Sequence, residues 1–366
     1  MRVVWVLNLF TSTPDEAVGA LDLLIDRGVD VVGVEAGNEV YSKFEEVAQM
    51  LAVAQPLFDE IHRRHPTLRR SFVGAPLWPR ADHERWNAEL AAHLASHPDA
   101  AEAVTLHPYL ASSRMPECQS EYDAWLATAP VTLTYDRATP HLDEAFACAR
   151  AATHGFGTQT IPSWIAQSRE RFAGHEIWLT EWNVKPVLPF VNTWMHGAFA
   201  FETWLALFET EGLTLAATHN GISPDIFGLL SNARDLDATT RTLVPRVALH
   251  AMVLAAEARR GERLGGESVG LVRATTLEGE HGRVFFVNDG ATAVMLAVPD
   301  GQRPLGLRVV SGRALYASAG HAGPLVDASG YRRSPPGVEI EGIEARPFDG
   351  TVPPFSFGIL DTTSAP

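Results

Sequence analysis

The stretch VDVVGVEAGNEVY, residues 29–41, decides how the chain is read. Val29, Val31, Val32 and Val34 are β-branched, and polar residues interrupt them only at Asp30 and Glu35, the pattern of a strand buried on both faces of a parallel sheet. The run stops abruptly at Gly37, Asn38 and Glu39. Where strands and helices alternate around a barrel, chemistry sits at the C-terminal ends of the strands, because the loops leaving them form the concave face. A second stretch has the same form: EIWLTEWN, residues 176–183, carries a short apolar run into a carboxylate, Glu181. Two strand-end glutamates far apart in sequence suggest one site.

Outward from these anchors, strand and helix patterns alternate. Residues 3–9 are a predicted strand. The helix after it has Thr13 as N-cap, Pro14 at its first position, Glu16 completing a capping box and Gly28 past its last turn. Ser42 and Glu45 repeat the capping-box pattern for a helix running towards His65, with a kink expected at Pro56. Strands at 71–74 and 104–107 flank a helix at 82–97. Residues 110–140 exceed the usual loop length and carry Arg114, Tyr122, Trp125 and Tyr135, the makings of a roof over the site or of an ordinary packed insertion. Helical patterns at 142–153 and 162–172 precede the Glu181 strand. A strongly apolar helix at 193–210, a strand in LTLAATHN at 213–220 and a last long helix at 241–259 follow it. From residue 265 short apolar alternations at 270–274, 283–287, 293–298, 307–310 and 355–360 mark an all-β module, expected to be a sandwich.

Composition narrows the partners. A chain of 366 residues with 46% hydrophobic and 20% charged residues is globular material, large enough for two domains. The formal charge of −15 argues against a nucleic-acid partner, which needs clustered Lys and Arg, and suits a neutral substrate such as a sugar. No stretch approaches the roughly 20 apolar residues of a membrane span. The opening apolar run at 3–7 is too short for a signal peptide, so a cytoplasmic location is expected. Cys118 and Cys148 give no disulfide framework and no metal spacing; two unpaired thiols are the favoured reading, and one bridge is possible.

Gly37-Asn38-Glu39 and Thr180-Glu181-Trp182-Asn183 resemble the two catalytic signatures of clan A glycoside hydrolases. Between them RSFVGAP, residues 70–76, resembles the fifth strand of such barrels and AVTLHPY, residues 103–109, the sixth with its His-Pro-Tyr; residues 213–220 take the eighth place. Family 51 (arabinofuranosidases) and family 39 (xylosidases and iduronidases) are the nearest in pattern. The resemblance implies an α/β fold, a (β/α)8 TIM-type barrel in residues 1–260, with a C-terminal β-sandwich in 261–366. Its strand count makes 3–9 the third strand, so the first two strand-helix units have no counterpart. An open barrel with a cleft between the first strand and the one at 213 is therefore expected, with poor activity for this chain alone unless a missing N-terminal segment or a second copy covers the gap.

The resemblance also assigns roles. Glycoside cleavage needs one carboxyl that holds a proton and one that is ionised. Glu39 takes the part of the general acid/base and Glu181 that of the nucleophile of a retaining double displacement, with no cofactor and no metal. Asn38 would bind the sugar 2-hydroxyl, its alternative being a turn asparagine. His107 and Tyr109 would contact the nucleophile or the sugar, or else pack in the core. Trp182, Trp78 and Trp5 offer ring faces for stacking on a sugar, though core packing is the commoner fate of a tryptophan. Asn183, Asn8, His219 and Asn220 are further strand-end candidates for binding. A pentoside is the expected substrate, α-L-arabinofuranoside ahead of β-xyloside. The rivals are a non-catalytic carbohydrate-binding relative and a metal-dependent hydrolase built on His107 and His219; no HxH or HExxH motif supports the latter.

Overall fold

Six short parallel strands carry the two glutamates: β1 (Arg2–Val6), β2 (Asp30–Glu35), β3 (Arg69–Val73), β4 (Ala103–Thr105), β5 (Glu176–Leu179) and β6 (Leu213–Ala216). The computed structural model describes residues 2–110, 115–128, 132–133, 140–184, 192–219, 221–223, 228–231, 244–260, 272–275, 281–317, 325–326, 332–333 and 340–364. The strands pair in sequence order, each parallel to the next, as an incomplete barrel would. Their burial follows their position: β3, β4 and most of β2 and β5 are buried on both faces, whereas β1 and β6, the edges among the described residues, are half-exposed. A strand enclosed on both faces needs an unbroken apolar run, which is why the valines from Val31 to Val34 are not spaced by polar residues.

The connecting helices are α1 (Pro14–Asp26), α2 (Val47–Arg64), α3 (Ala81–Ser96) and α4 (Ile161–Arg171). Thr13 caps α1 as expected: its hydroxyl accepts from the Glu16 amide, the Thr13 amide donates to the Glu16 carboxylate at 2.8 Å, and Gly28 takes a positive φ past the last turn. The start of α2 departs from expectation. Ser42 lies in a 3₁₀ turn, Val40–Ser42, and donates to the Glu39 carbonyl (2.8 Å), so it cannot cap a helix. The first amide of α2, that of Val47, donates to Glu89 of α3 (3.2 Å) instead. Val47, Met50, Ala54, Leu57, Phe58 and Ile61 form its buried stripe at helical spacing, and Pro56 sits inside the helix on its exposed side. On α3, the Trp86 indole donates to the Val73 carbonyl (2.9 Å), and Asn87 bonds both backbone groups of Ala75, fixing the chain as it leaves β3.

The compact units cut the chain differently from a division at residue 260. One holds 1–108, 161–182 and 210–218; the other holds 109–160, 183–209 and 219–366. The second takes helices expected on the barrel because they pack on an antiparallel sheet of Val272–Thr275, His281–Asn288, Ser356–Ser364, Gln302–Ser311 and Glu344–Arg346. Alternate residues of this sheet serve opposite faces: Val284, Phe286, Leu307, Val309 and Leu360 share one cluster, while the rings of Phe285 and Phe357 lie tilted against Phe201 of the helix Trp194–Glu209. Arg150 of the helix Leu142–Gly155 forms a buried two-point ion pair with Glu202 at 2.7 and 2.9 Å. The last helix is shorter than expected, Val247–Ala255 followed by a 3₁₀ turn.

One further expectation is revised in this unit. Cys118 and Cys148 are joined in a disulfide, their Cα atoms 5.6 Å apart, not left as unpaired thiols. Two cysteines give no spacing pattern to read, and only the packing of the turn Pro116–Cys118 beside the helix Leu142–Gly155 brings them together. In the long 110–140 stretch a helix, Gln119–Thr128, buries Trp125 fully, with its ring near Phe146; Arg114, Tyr135 and the Tyr122 side chain lie outside the described residues. No helix among the described residues is long and apolar enough to cross a membrane.

The α1 capping box gives the first test. Thr13→Ala removes one side of it and is expected to lower stability by about 1 kcal/mol in urea unfolding; no change would mean that the box contributes nothing to the folded chain.

Candidate active site

The turn after β2 is dictated by two unusual backbone positions. The β2 backbone stays in the sheet until Ala36, whose amide donates to the Ser71 carbonyl (2.9 Å). Gly37 then takes φ 79°, and a Cβ there would lie 2.5 Å from the Val40 side chain, so only glycine fits. Glu39 itself is left-handed at φ 45° and ψ 41°, a conformation that costs a non-glycine residue on the order of 1–2 kcal/mol. Strain of this kind persists where the surroundings over-determine it, and here buried Val40 and the 3₁₀ turn anchor the chain just beyond. The turn leaves Asn38 exposed and Glu39 half-buried.

Facing this turn, the chain after β4 brings in His107, whose side chain is 1% exposed. Its Nε2–H donates to the Thr180 hydroxyl (2.9 Å) and lies 3.3 Å from the Glu35 carboxylate. Its Nδ1 is 3.9 Å from Glu39 Oε1 and 3.9 Å from Glu181 Oε2, ion-pair distances to both carboxylates from one ring nitrogen. The loops after β2 and β5 thus converge on one imidazole. Burial alone would strip the ring of its proton; Glu35 and Glu39, then Glu181, outweigh it and hold the ring charged up to about 10. Tyr41, half-buried against His83, hydrogen-bonds Glu39, and burial together with the charges of Glu39 and Glu181 raises its phenol far above the ordinary range. It stays a proton donor.

The other expected site residues divide. Trp182 is completely enclosed, which makes it packing and leaves no face for a sugar. Trp78 is half-buried, edge-on to Trp164 with ring centres 4.5 Å apart. Asn8 is exposed, but its side chain is engaged locally, accepting from the amides of Phe10 and Thr11 and donating to Thr11 Oγ1. Tyr109, Asn183 and His219 belong to the other compact unit and cluster there. Tyr109 pairs with Asn183 between two-residue strands and lies edge-on to His219. Asn183 is buried, donates to the His219 carbonyl and accepts from His196 (2.8 Å), so its amide holds the fold. Asn220 lies outside the described residues.

Glu35, Tyr41 and Thr180 are contributors that the strand-end pattern passes over. Glu35 had a signal of its own: a lone carboxylate inside a run buried on both faces is costly unless paired, so its presence announces a buried cation. Among the described residues no group of three or more His, Cys, Asp and Glu side chains is arranged to hold a metal ion.

No protein-family model matches the chain, and no curated protein matches it in sequence. Solved structures do match. The α-L-arabinofuranosidase of Thermotoga maritima, in complex with arabinose, superposes with a TM-score of 0.57 at 16% identity over 97% of this chain and 74% of its own. The family 51 α-L-arabinofuranosidase AbfB of Bifidobacterium longum gives 0.60 at 13% identity over 99% and 76%. The fold is that of family 51 arabinofuranosidases. A 4-O-α-L-rhamnosyl-β-D-glucuronidase of Fusarium oxysporum is also similar, with a TM-score of 0.54 at 13% identity over 99% of this chain and 76% of its own. At these identities the likeness is one of fold.

The charged ring makes stability depend on pH with a definite sign. A histidine in an unfolded chain titrates near about 6.5, and the folded ring holds its proton up to about 10. Its contribution is therefore full below the unfolded value and lost as pH rises through the folded one. The stability gap between wild type and His107→Gln should be widest at about pH 6 and shrink to a constant packing remainder by about pH 10.5. A gap that does not vary with pH would mean a neutral ring.

Proposed function

We propose that the chain is a retaining glycoside hydrolase in which Glu39 is the general acid/base and Glu181 the nucleophile. One observation carries this reading: two strand-end carboxylates lie 3.9 Å from the same ring nitrogen, so their nearest oxygens are no further apart than twice that distance. This admits the about 5–5.5 Å of a retaining pair and rules out the wider part of the about 6.5–9.5 Å range of inverting pairs. Spacing in the sheet supports it as well. Glu39 follows the second strand and Glu181 the fifth, three places apart, as the fourth and seventh strands of an eight-stranded barrel are. On that register β1 stands third.

In the first step a Glu181 oxygen bonds to the anomeric carbon as the bond to the leaving oxygen breaks, and Glu39 gives its proton to that oxygen. In the second, water attacks the same carbon, Glu39 takes its proton, and the bond to Glu181 breaks, restoring both groups. The Tyr41 hydroxyl donates to Glu39 while it is ionised. Asn38, exposed beside Glu39, is assigned to the sugar 2-hydroxyl. A pentoside suits the two similar arabinofuranosidases, and α-L-arabinofuranoside is proposed ahead of β-xyloside. The Cys118–Cys148 bridge favours an oxidising compartment over the cytoplasm.

On nitrophenyl glycosides the chain is expected to turn over slowly, because its edge strands β1 and β6 have no further strand beside them among the described residues, and to favour the arabinofuranoside. Cleavage of hexosides alone would reject the pentoside assignment, and sugar binding without any turnover would identify a non-catalytic relative.

Glu181→Gln should abolish turnover of every substrate. Glu39→Ala should slow substrates with poor leaving groups by about 10²–10⁴-fold, spare good ones in the first step, and recover with azide. Undiminished rates in the Glu181 variant would end the assignment.

A further inference from the structure

We propose that Glu35 is a positioning residue for this reaction: its buried carboxylate keeps His107 charged, so that one imidazolium serves Glu39 and Glu181 equally as negative charge passes between them. The proposal rests on the roles assigned above to those two glutamates. Glu35 ends β2 with its side chain 1% exposed, and among the described residues neither oxygen accepts a well-aligned hydrogen bond. A carboxylate so enclosed must find a cation or give up its charge. The ring 3.3 Å away is that cation.

Both ring nitrogens face acceptors. Nε2 meets the Thr180 hydroxyl and Glu35, while Nδ1 meets Glu39 and Glu181. A neutral ring would carry one proton and turn a lone pair towards carboxylate on its other side; only the doubly protonated ring suits both. Among the described residues the charged groups that act on it are Glu35 from β2, Glu39 from the turn after β2 and Glu181 from the loop after β5; Tyr41, from the same turn as Glu39, faces Glu39 and Glu181. Arg80, at the surface, acts on Tyr41.

The symmetry of the Nδ1 contacts has a chemical use. Before the first step Glu181 is ionised and Glu39 protonated; in the glycosyl-enzyme Glu181 is an ester and Glu39 is ionised. One negative charge has moved from one carboxylate to the other, and the ring nitrogen is 3.9 Å from each. A charged ring stabilises both stages alike and penalises neither. A neutral ring would leave Glu35 and the migrating charge uncompensated.

Glu35→Gln, nearly isosteric, tests this through ¹⁵N NMR of labelled histidine and the pH profile of kcat/KM on an aryl arabinofuranoside. In wild type the His107 ring should remain doubly protonated through neutral pH. In Glu35→Gln its titration and the alkaline limb of the profile should both move down by about two pH units, with Glu35→Asp lying between. An unchanged titration in the variant would overturn the proposal even if Glu181→Gln confirms the nucleophile. A shifted ring in a protein that cleaves no glycoside would leave Glu35 as the keeper of the charge and remove the assigned reaction. Should Glu35→Gln fail to fold, the wild-type titration decides: a ring losing its proton near about 6.5 refutes the idea.

Discussion

A carboxylate buried at the end of a parallel strand has to be paired, and in this protein the pairing assembles the site. Glu35 is enclosed by β1 and β3 on either side of its own strand, so water cannot solvate it. His107 supplies the compensating charge from the end of β4, and Thr180 after β5 orients the same ring. The ends of β2, β4 and β5 are thereby tied to one imidazole. Glu39 and Glu181, the groups proposed to do the chemistry, each lie 3.9 Å from that ring.

Backbone geometry supplies the rest of the pre-organisation. Gly37 allows the chain to reverse under Val40, and the left-handed Glu39 turns its carboxyl back towards the ring instead of continuing the strand direction. The adjoining loop after β3 is fixed by Trp86 and Asn87 of α3, whose side chains take up backbone groups that the end of a strand leaves unpaired. Rigid support of this kind lets two carboxyls persist in a half-buried position without collapsing onto solvent or onto one another.

In the second unit a different constraint dominates. The helix Trp194–Glu209 is buried nearly all round, so its apolar surface has to be covered on more than one side. Phe285 and Phe357 cover part of it, and Arg150 neutralises Glu202, the carboxylate that the helix carries inside. Burial by itself would raise the Glu202 carboxyl, but Arg150 and His154 face it and together hold it down to about 2.

What the sequence determined by itself was the alternation of elements and the identity of the strand-end groups. Apolar runs on both-face-buried strands, the capping box at Thr13 and the helical spacing of α2 are local signals, written within a few residues of one another. Glu39, Glu181 and His107 were legible as strand-end residues, and the structure brings these three together. The start of α2 was not, because Ser42 is diverted into a turn by the backbone of Glu39; the Glu45 amide it would have capped donates to Gln49, and the first amide of α2, that of Val47, is met by Glu89 from another helix. Nor were the disulfide, the burial of Trp182 or the engagement of Asn183 by His196, since each depends on groups distant in sequence. The role of Glu35 belongs to the same class: its charge is visible in the chain, but only tertiary packing decides which cation answers it, because electrostatic pairing acts through space and leaves no periodicity behind.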